Sequence, residues 1–428
     1  MAKLQYNLFA TDGFVVLPTN AEACPNTTYT GSIYVWGFVG GLYKRDDQVV
    51  NPQFADTTAH RAAFAGTAII PSPRIDCDQG DHVYILLVNL GMVLAPVPQD
   101  DHTIHLHGLH VATQLDGFPE LSFAVPMGQK MLYYFDAEHP GTYMYHCHQE
   151  ASQHIQMGMY GALIIYPSQQ SLAAAGVVIP PGFTNRNFAY NDAMTFYDKD
   201  YVMLLSDLDS TWHLAVYEND PSFIPVNFKP DWWLVNGRAF PDTLTPHPQP
   251  GYASYVRVAT DQKFLLRMIN MGYQSVPWHI HGWNFHIIGK DATMREHHDM
   301  GFTQLIGSGE TYDLLLEATS KSGMYSKYIF QGQQGYESLM SRVQLSWWYD
   351  IPMEGFACPP PPGSERPHSS WRYGQHAGEF FPQFYPMHNH DDYKVTNNGV
   401  YPGGQLTYIQ TDAPPPPPVP PGPGTPTT

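Results

Sequence analysis

An all-β chain of two Greek-key sandwich domains, with loop insertions and a proline-rich C-terminal tail, is the fold class this sequence predicts. Three observations carry the prediction. The chain holds 39 prolines and 36 glycines, which punctuate it too often for long helices. Aromatic residues make up 14% of it, and short alternating runs such as His82-Val-Tyr-Ile-Leu-Leu-Val-Asn89 have the period of strands bounded by turns. Finally, 428 residues exceed what one ordinary core organises, so two domains are expected.

Taken in order, residues 1–167 form the first expected unit, ending on the strand-like Gly161-Ala-Leu-Ile-Ile-Tyr-Pro167. Ser168 to Pro181 reads as a linker. The second unit, 168–412, contains Val235-Asn-Gly-Arg-Ala-Phe-Pro-Asp242, a strand from Lys263 to Asn270 and the segment Trp278-His279-Ile-His281-Gly282. An insertion is expected between Ser338 and Phe384. Residues 413–428, mostly proline and glycine, are expected to be an extended, disordered tail.

Charge narrows the partners. With 21 basic against 39 acidic residues and a net charge of −18, neither nucleic acid nor an anionic membrane is an expected partner. Neutral or cationic small aromatic reductants suit the balance better. No stretch is long and apolar enough to cross a bilayer as a helix. Met1-Ala-Lys-Leu-Gln-Tyr6 lacks a charged segment followed by an apolar run, so a signal peptide is expected to be absent or trimmed. The first case implies a cytoplasmic protein and the second a secreted or periplasmic one. Of four cysteines, Cys147 is taken by the motif below; Cys24, Cys77 and Cys358 are left as buried thiols or as one disulfide and an odd thiol.

The chemistry lies in His102-Thr-Ile-His105-Leu-His107-Gly108, followed by His146-Cys147-His148, His154 and Met159. Two imidazoles, a thiolate and a thioether hold copper through both of its oxidation states, and His102, Cys147, His154 and Met159 supply that set. His105, His107, His146 and His148 alternate with them at strand spacing and so project to the opposite face, where they can hold a second metal centre. Cys147 then lies covalently between two ligands of that centre. A lone histidine is more often a surface or hydrogen-bonded core residue, but nothing structural demands this joint spacing.

These residues make the chain resemble the multicopper oxidases. The likeness extends to Pro73-Arg-Ile-Asp-Cys-Asp-Gln-Gly-Asp-His-Val83, Asp116-Gly-Phe-Pro119 and Pro140-Gly-Thr-Tyr-Met-Tyr145, which precede or deliver ligands as they do in that family. It implies cupredoxin-like domains, with a type 1 copper in the first and a trinuclear cluster between domains. One departure is the Cys147–His154 spacing, two residues longer than is usual in three-domain laccases.

In the second unit His279 and His281 repeat the histidine-any-histidine pattern, while Val276 stands where a type 1 histidine would be and no cysteine follows. Gly323-Met-Tyr-Ser-Lys-Tyr328-Ile-Phe330 mirrors Gly141 to His148, with both histidines replaced. Pro386-Met-His388-Asn-His390 resembles the terminal segment of some bacterial members, which makes His388 and His390 the missing pair. The competing reading is an exposed turn with Asp391 and Asp392 as a solvated face.

The resemblance implies about four coppers per chain, one type 1, one type 2 and two type 3. His105 and His279 would hold type 2 copper; His107, His146, His148, His281, His388 and His390 would hold the type 3 pair. It further implies one-electron oxidation of a phenolic or aminophenolic reductant near His102 or His154, transfer through Cys147, and reduction of dioxygen to water. Asp116 is the expected proton-handling carboxylate, or else only the start of the turn at Gly117; Glu150 and Asp391 are weaker candidates. His286 is expected to pack behind the cluster and His297-His298 to form a surface turn.

Two other readings remain. A copper nitrite reductase also has two such domains, but its type 2 site uses three histidines and none follows the copper cysteine, so His107, His148 and His281 count against it. A non-enzymatic copper-binding protein with a degenerate cluster would fit Tyr328 and Phe330. Joining both halves of the cluster calls for a homotrimer, each cluster shared by the first domain of one chain and the second domain of the next.

Overall fold

The computed structural model describes residues 2–18, 31–46, 57–321 and 383–412. Cys24, Cys358, Tyr328, Phe330, most of the expected insertion and the proline-rich tail lie outside them. The first strands are β1 (Lys3–Val16), β2 (Ser32–Asp46), β3 (Ile75–Asp78), β4 (His82–Gly91), β5 (His105–His107), β6 (Lys130–Asp136), β7 (Gly141–His146) and β8 (Tyr160–Tyr166). They build two sheets, ordered β2-β1-β4-β6 and β3-β8-β7-β5. Between these sheets lies a core that includes Leu4, Trp36, Phe38, Ile85, Leu106, Tyr133, Leu163 and Ile165.

The pattern recurs in β9 (Lys199–Leu208), β10 (Trp232–Val235), β11 (Val256–Ala259), β12 (Lys263–Asn270), β13 (Val276–Ile280), β14 (Phe285–Lys290), β15 (Thr293–Gly301), β16 (Thr303–Ile306), β17 (Thr311–Glu317), β18 (Gln383–Asn389) and β19 (Leu406–Asp412). These form sheets ordered β10-β9-β12-β17-β14-β15 and β11-β19-β18-β13-β16. The parallel pairs match: β1 with β4 and β3 with β8 in one sandwich, β9 with β12 and β11 with β19 in the other. The fold is all-β and cupredoxin-like.

Helices are short: α1 (Thr57–Phe64), α2 (Ala151–Met157), α3 (Gln169–Ala174) and α4 (Ser210–Glu218). Part of the stretch read as a linker is helical, because the Ser168 side chain caps α3 at Ser171 N and Ser171 caps back. No described helix is long and apolar enough to cross a membrane.

Strand β8 explains how the sandwiches meet. It is apolar along its whole length, and all seven residues are buried. Leu163 and Ile165 face the first core, while Ala162, Ile164 and Tyr166 face Val202, Leu204 and Ile269 of the second sandwich. A strand buried on both faces has no reason to alternate with polar residues. Beside this seam sits Arg267, fully buried, with Nε 2.8 Å from Asp200 and Nη1 3.0 Å from the Thr142 hydroxyl on β7. The Thr142 hydroxyl in turn donates to Asp313 at 2.6 Å.

Two expectations about leftover histidines are corrected. His286 is exposed rather than packed, since Phe285 takes the inward position on β14. His297 and His298 lie at the surface as expected, but on strand β15 rather than in a turn.

Candidate metal centres

His102 enters through a single bridge to Val125, its N–H donating to the Val125 carbonyl at 3.1 Å. Cys147 follows the last residue of β7, and its N–H donates to the Met159 carbonyl at 2.9 Å. The longer spacing to His154 is folded into α2, which places His154 in its last turn and ends at Gly158 with φ +114. There a Cβ would lie 2.1 Å from Ile70 Cγ2, so glycine is required for the chain to turn back and deliver Met159.

The donor atoms converge. Cys147 Sγ lies 3.2 Å from His154 Nδ1 and 3.9 Å from His102 Nδ1, and the two Nδ1 atoms are 3.3 Å apart. Donors about 3.3–3.8 Å apart are what a borderline first-row cation needs at bond lengths of about 2.0 Å to nitrogen and 2.3 Å to sulfur. His102, Cys147, His154 and Met159 are all fully buried. Trp36 sets its edge against both imidazoles, with ring centroids at 5.1 Å from His154 and 6.4 Å from His102. Thr103, which the sequence reading missed, directs its N–H at Cys147 Sγ at 3.4 Å and accepts the His148 N–H on its hydroxyl at 2.9 Å.

Burial decides the protonation states here. It pushes the Cys147 thiol up to about 11 and His154 down to about 4, and holds His102 well below the ordinary imidazole range. Both imidazoles are therefore neutral and can ligate, whereas the thiol surrenders its proton only to a cation.

A second group gathers on the other face of the same strands. His105 pairs with His146 across β5 and β7, and the donor atoms of His105, His107 and His146 lie within 4.8 Å of one another. His148 joins them, its ring centroid 5.3 Å from His105 and 5.5 Å from His146. His105 Nδ1 donates to the Asp116 carbonyl at 2.7 Å and His146 Nδ1 to the Cys147 carbonyl at 2.9 Å, which leaves each Nε2 for a metal. Burial pushes His146 down to about 3 and lowers His107.

Asp116 stands beside His105 and begins the turn at Gly117. Its carboxylate lies 3.4 Å from His105 Nδ1, and the Gly117 that follows adopts φ +75, where a Cβ would lie 2.2 Å from the Ile104 carbonyl. Glu150 is exposed at the start of α2, and Asp391 is paired with Lys394 at 3.4 Å.

In the second sandwich His279 pairs with His388 across β13 and β18, in the register that joins His105 to His146. The donor atoms of His279, His281 and His388 lie within 4.8 Å, with His281 Nε2 3.2 Å from His388 Nε2. His390 approaches His279 with ring centroids 5.0 Å apart. His388 Nδ1 donates to the Asn389 carbonyl at 2.9 Å, as His146 does to that of Cys147. Burial lowers His279 and His281, and the neighbouring imidazoles lower them further.

Thus β18 occupies the place of β7, while Gly323 to Phe330 lies outside the described residues. Asn389 stands where Cys147 stands in the first sandwich, buried and tied to Gln405 at 2.8 Å and to the Asp391 N–H at 2.9 Å. The counterpart of His102 is the buried Val276. Among the described residues, Cys77 is a buried thiol without a disulfide.

Residues 50–170 match the family model described as multicopper oxidase. This segment is similar to a multicopper oxidase domain. That segment contains His102 to His107, His146 to His148, His154 and Met159, so the multicopper oxidase match falls on the two donor groups of the first sandwich. Copper resistance protein A of Pseudomonas syringae pv. tomato is 24% identical over 291 residues, 62% of this chain and 44% of that protein. The copper-containing nitrite reductase of Alcaligenes xylosoxydans xylosoxydans is 32% identical over 125 residues, 29% of this chain and 34% of the relative. The chain thus spans less than half the length of either curated relative. Among solved structures, the blue copper oxidase from Nitrosomonas europaea shares the fold at a TM-score of 0.59 and 22% identity, over 96% of this chain and 86% of that one.

Proposed function

We propose that the protein is a laccase-like oxidase that takes single electrons from a small phenolic or aminophenolic reductant and delivers them to dioxygen, with water as product. One observation carries the reading. Cys147 belongs to the buried His102–His154 group, while its covalent neighbours His146 and His148 belong to the second group, so the peptide itself joins the two. Bound copper would supply the one-electron redox steps and the reaction with dioxygen. The protein's part is to hold and isolate it. His102, Cys147 and His154, with Met159 buried in the same core, form a dry site in which neutral imidazoles face a thiol. The carbonyls of Asp116, Cys147 and Asn389 and the hydroxyl of Thr303 fix imidazole orientation, the last accepting from His279 Nδ1 at 2.7 Å. Asp116, whose carboxylate lies 3.4 Å from His105 Nδ1, is the group placed to relay protons toward this histidine set.

We read residues 1–167 and 168–412 as the two domains and the His279, His281, His388, His390 set as the second half of a trinuclear site. Within one chain the two histidine sets are separate groups, and His281 and His390 are exposed. Exposed apolar side chains accompany each set: Leu121 and Phe123 follow Phe118, whose ring touches His148, and Phe302 precedes β16, the strand paired to β13, while Leu305 lies on it. A homotrimer brings the first set of one chain onto the second set of the next and covers both patches. Changing His388 and His390 together to alanine should preserve the blue absorption of the Cys147 site and abolish oxygen uptake with a phenolic reductant. Full oxygen uptake in that variant would sink the assignment of this pair. Likeness to nitrite reductases favours a second reading, reduction of nitrite, and the same preparations assayed with nitrite and without oxygen decide between them.

A further inference from the structure

Outside the two histidine-rich faces, one more set of donors is gathered. His110, Glu138 and His139 place their ligand atoms within 4.8 Å of one another, all on exposed side chains. His110 Nδ1 lies 3.3 Å from Glu138 Oε2, and the imidazoles of His110 and His139 meet edge to face with centroids 5.8 Å apart. Two ligands on a tetrahedral ion with bonds of about 2.1 Å stand about 3.4 Å apart, so the first pair already has the required separation. Small side-chain rotations of His139 complete the set.

The backbone carrying these residues is held in place without a ligand. Leu109 and Val111, on either side of His110, pack against the first core, which turns His110 outward. The Glu138 carbonyl accepts from Gln79 Nε2 at 2.8 Å. The Tyr143 hydroxyl donates to the His139 carbonyl at 2.9 Å, while its ring lies 3.3 Å from the Cβ position of Gly108. One side chain thus clamps the loop after β5 to the turn before β7, and the donors come from both.

We propose that His110, Glu138 and His139 bind a divalent cation of borderline character, represented by Zn(II), at a site separate from those built around Cys147 and the two histidine sets. Two imidazoles and one carboxylate are a common ligand set for such an ion; the carboxylate offsets half its charge, and an open position remains for water. The ion would join the loop that follows His107 at the end of β5 to the turn that leads into β7, the strand ending at His146.

The test compares copper-loaded wild type with the double variant His110→Ala/His139→Ala, each dialysed against micromolar Zn(II). Wild type should hold one more zinc per chain than the variant, at equal copper content and equal blue absorption, and zinc should raise the melting temperature of wild type alone. Equal zinc in the two proteins overturns the site, because zinc taken up at copper positions or elsewhere is common to both. Should the double variant fold poorly, Glu138→Gln and His110→Gln taken singly should each weaken zinc binding by more than about tenfold. Unchanged affinity in both overturns it equally.

Discussion

Cys147 shows how burial sets the cost of filling the His102–Cys147–His154 site with copper. Its thiol is pushed up to about 11 by desolvation, while burial holds His154 at about 4 and His102 lower still. Between about pH 5 and 10 the copper-free site therefore carries one removable proton, on sulfur, and none on nitrogen. The sign follows: loading releases one proton per copper, and affinity should rise about tenfold per pH unit across that window. Proton release into a weakly buffered indicator during copper addition to the copper-free protein measures this. Release of two protons near neutral pH would mean that an imidazole enters charged and that burial does not control the site.

At the scale of elements, α2 and the turn after it decide where the thioether stands. Gly158 adopts φ +114 with Ile70 and Trp36 pressed against it, and Met159 follows directly. Gly158→Ala adds a side chain where none fits and a backbone penalty besides, so a loss of about 1–3 kcal/mol is expected. A thermal melt should fall accordingly, and the blue absorption should shift because Met159 moves relative to Cys147. A variant with unchanged melting and colour would show that this turn does not place the ligand. The comparison of β18 with β7 makes a related point: equal registers put a histidine at the same place in each sandwich, yet the next residue is Asn389 in one and Cys147 in the other.

For the whole molecule, the seam between the sandwiches combines an apolar sheet face with one buried cation. Arg267 reaches Asp200, Thr142 and the Tyr197 hydroxyl, the last at 2.9 Å, and lies 3.7 Å from Asp313. Arg267→Leu leaves the buried Asp313 without its nearest cation, so a loss of about 3–5 kcal/mol is expected, read as a lower urea midpoint. A neutral outcome would mean that the apolar face alone holds the sandwiches together. Assembly adds a second prediction. If copper sits between chains, association and copper retention are linked by mass action, and dilution should lose both together. Light scattering alongside metal analysis checks it: a monomer that keeps its copper and its oxidase activity at high dilution would rule out the shared site.

By itself the sequence determined the all-β class and the membership of the two groups in the first sandwich. Both depend on local geometry, since a strand's period of two forces His105 and His107 to one face and leaves His102 and Cys147 to the other. The run that became β8 was legible only as the closing strand of the first unit; its burial on both faces came from the second sandwich packing on it. Local period could not give the pairing of β13 with β18, whose contacting His281 and His388 are 107 residues apart, nor the placing of Asn389 in the position of Cys147. It could not bring His110 to Glu138 and His139, or Arg267 to Thr142. His286 was misjudged because β14 leaves its position exposed, and His297 with His298 only in that they lie on the edge strand β15 rather than in a turn, choices that sequence alone leaves undecided. Those outcomes rest on which strands pair and in what register, and only burial of the whole sheet selects the register.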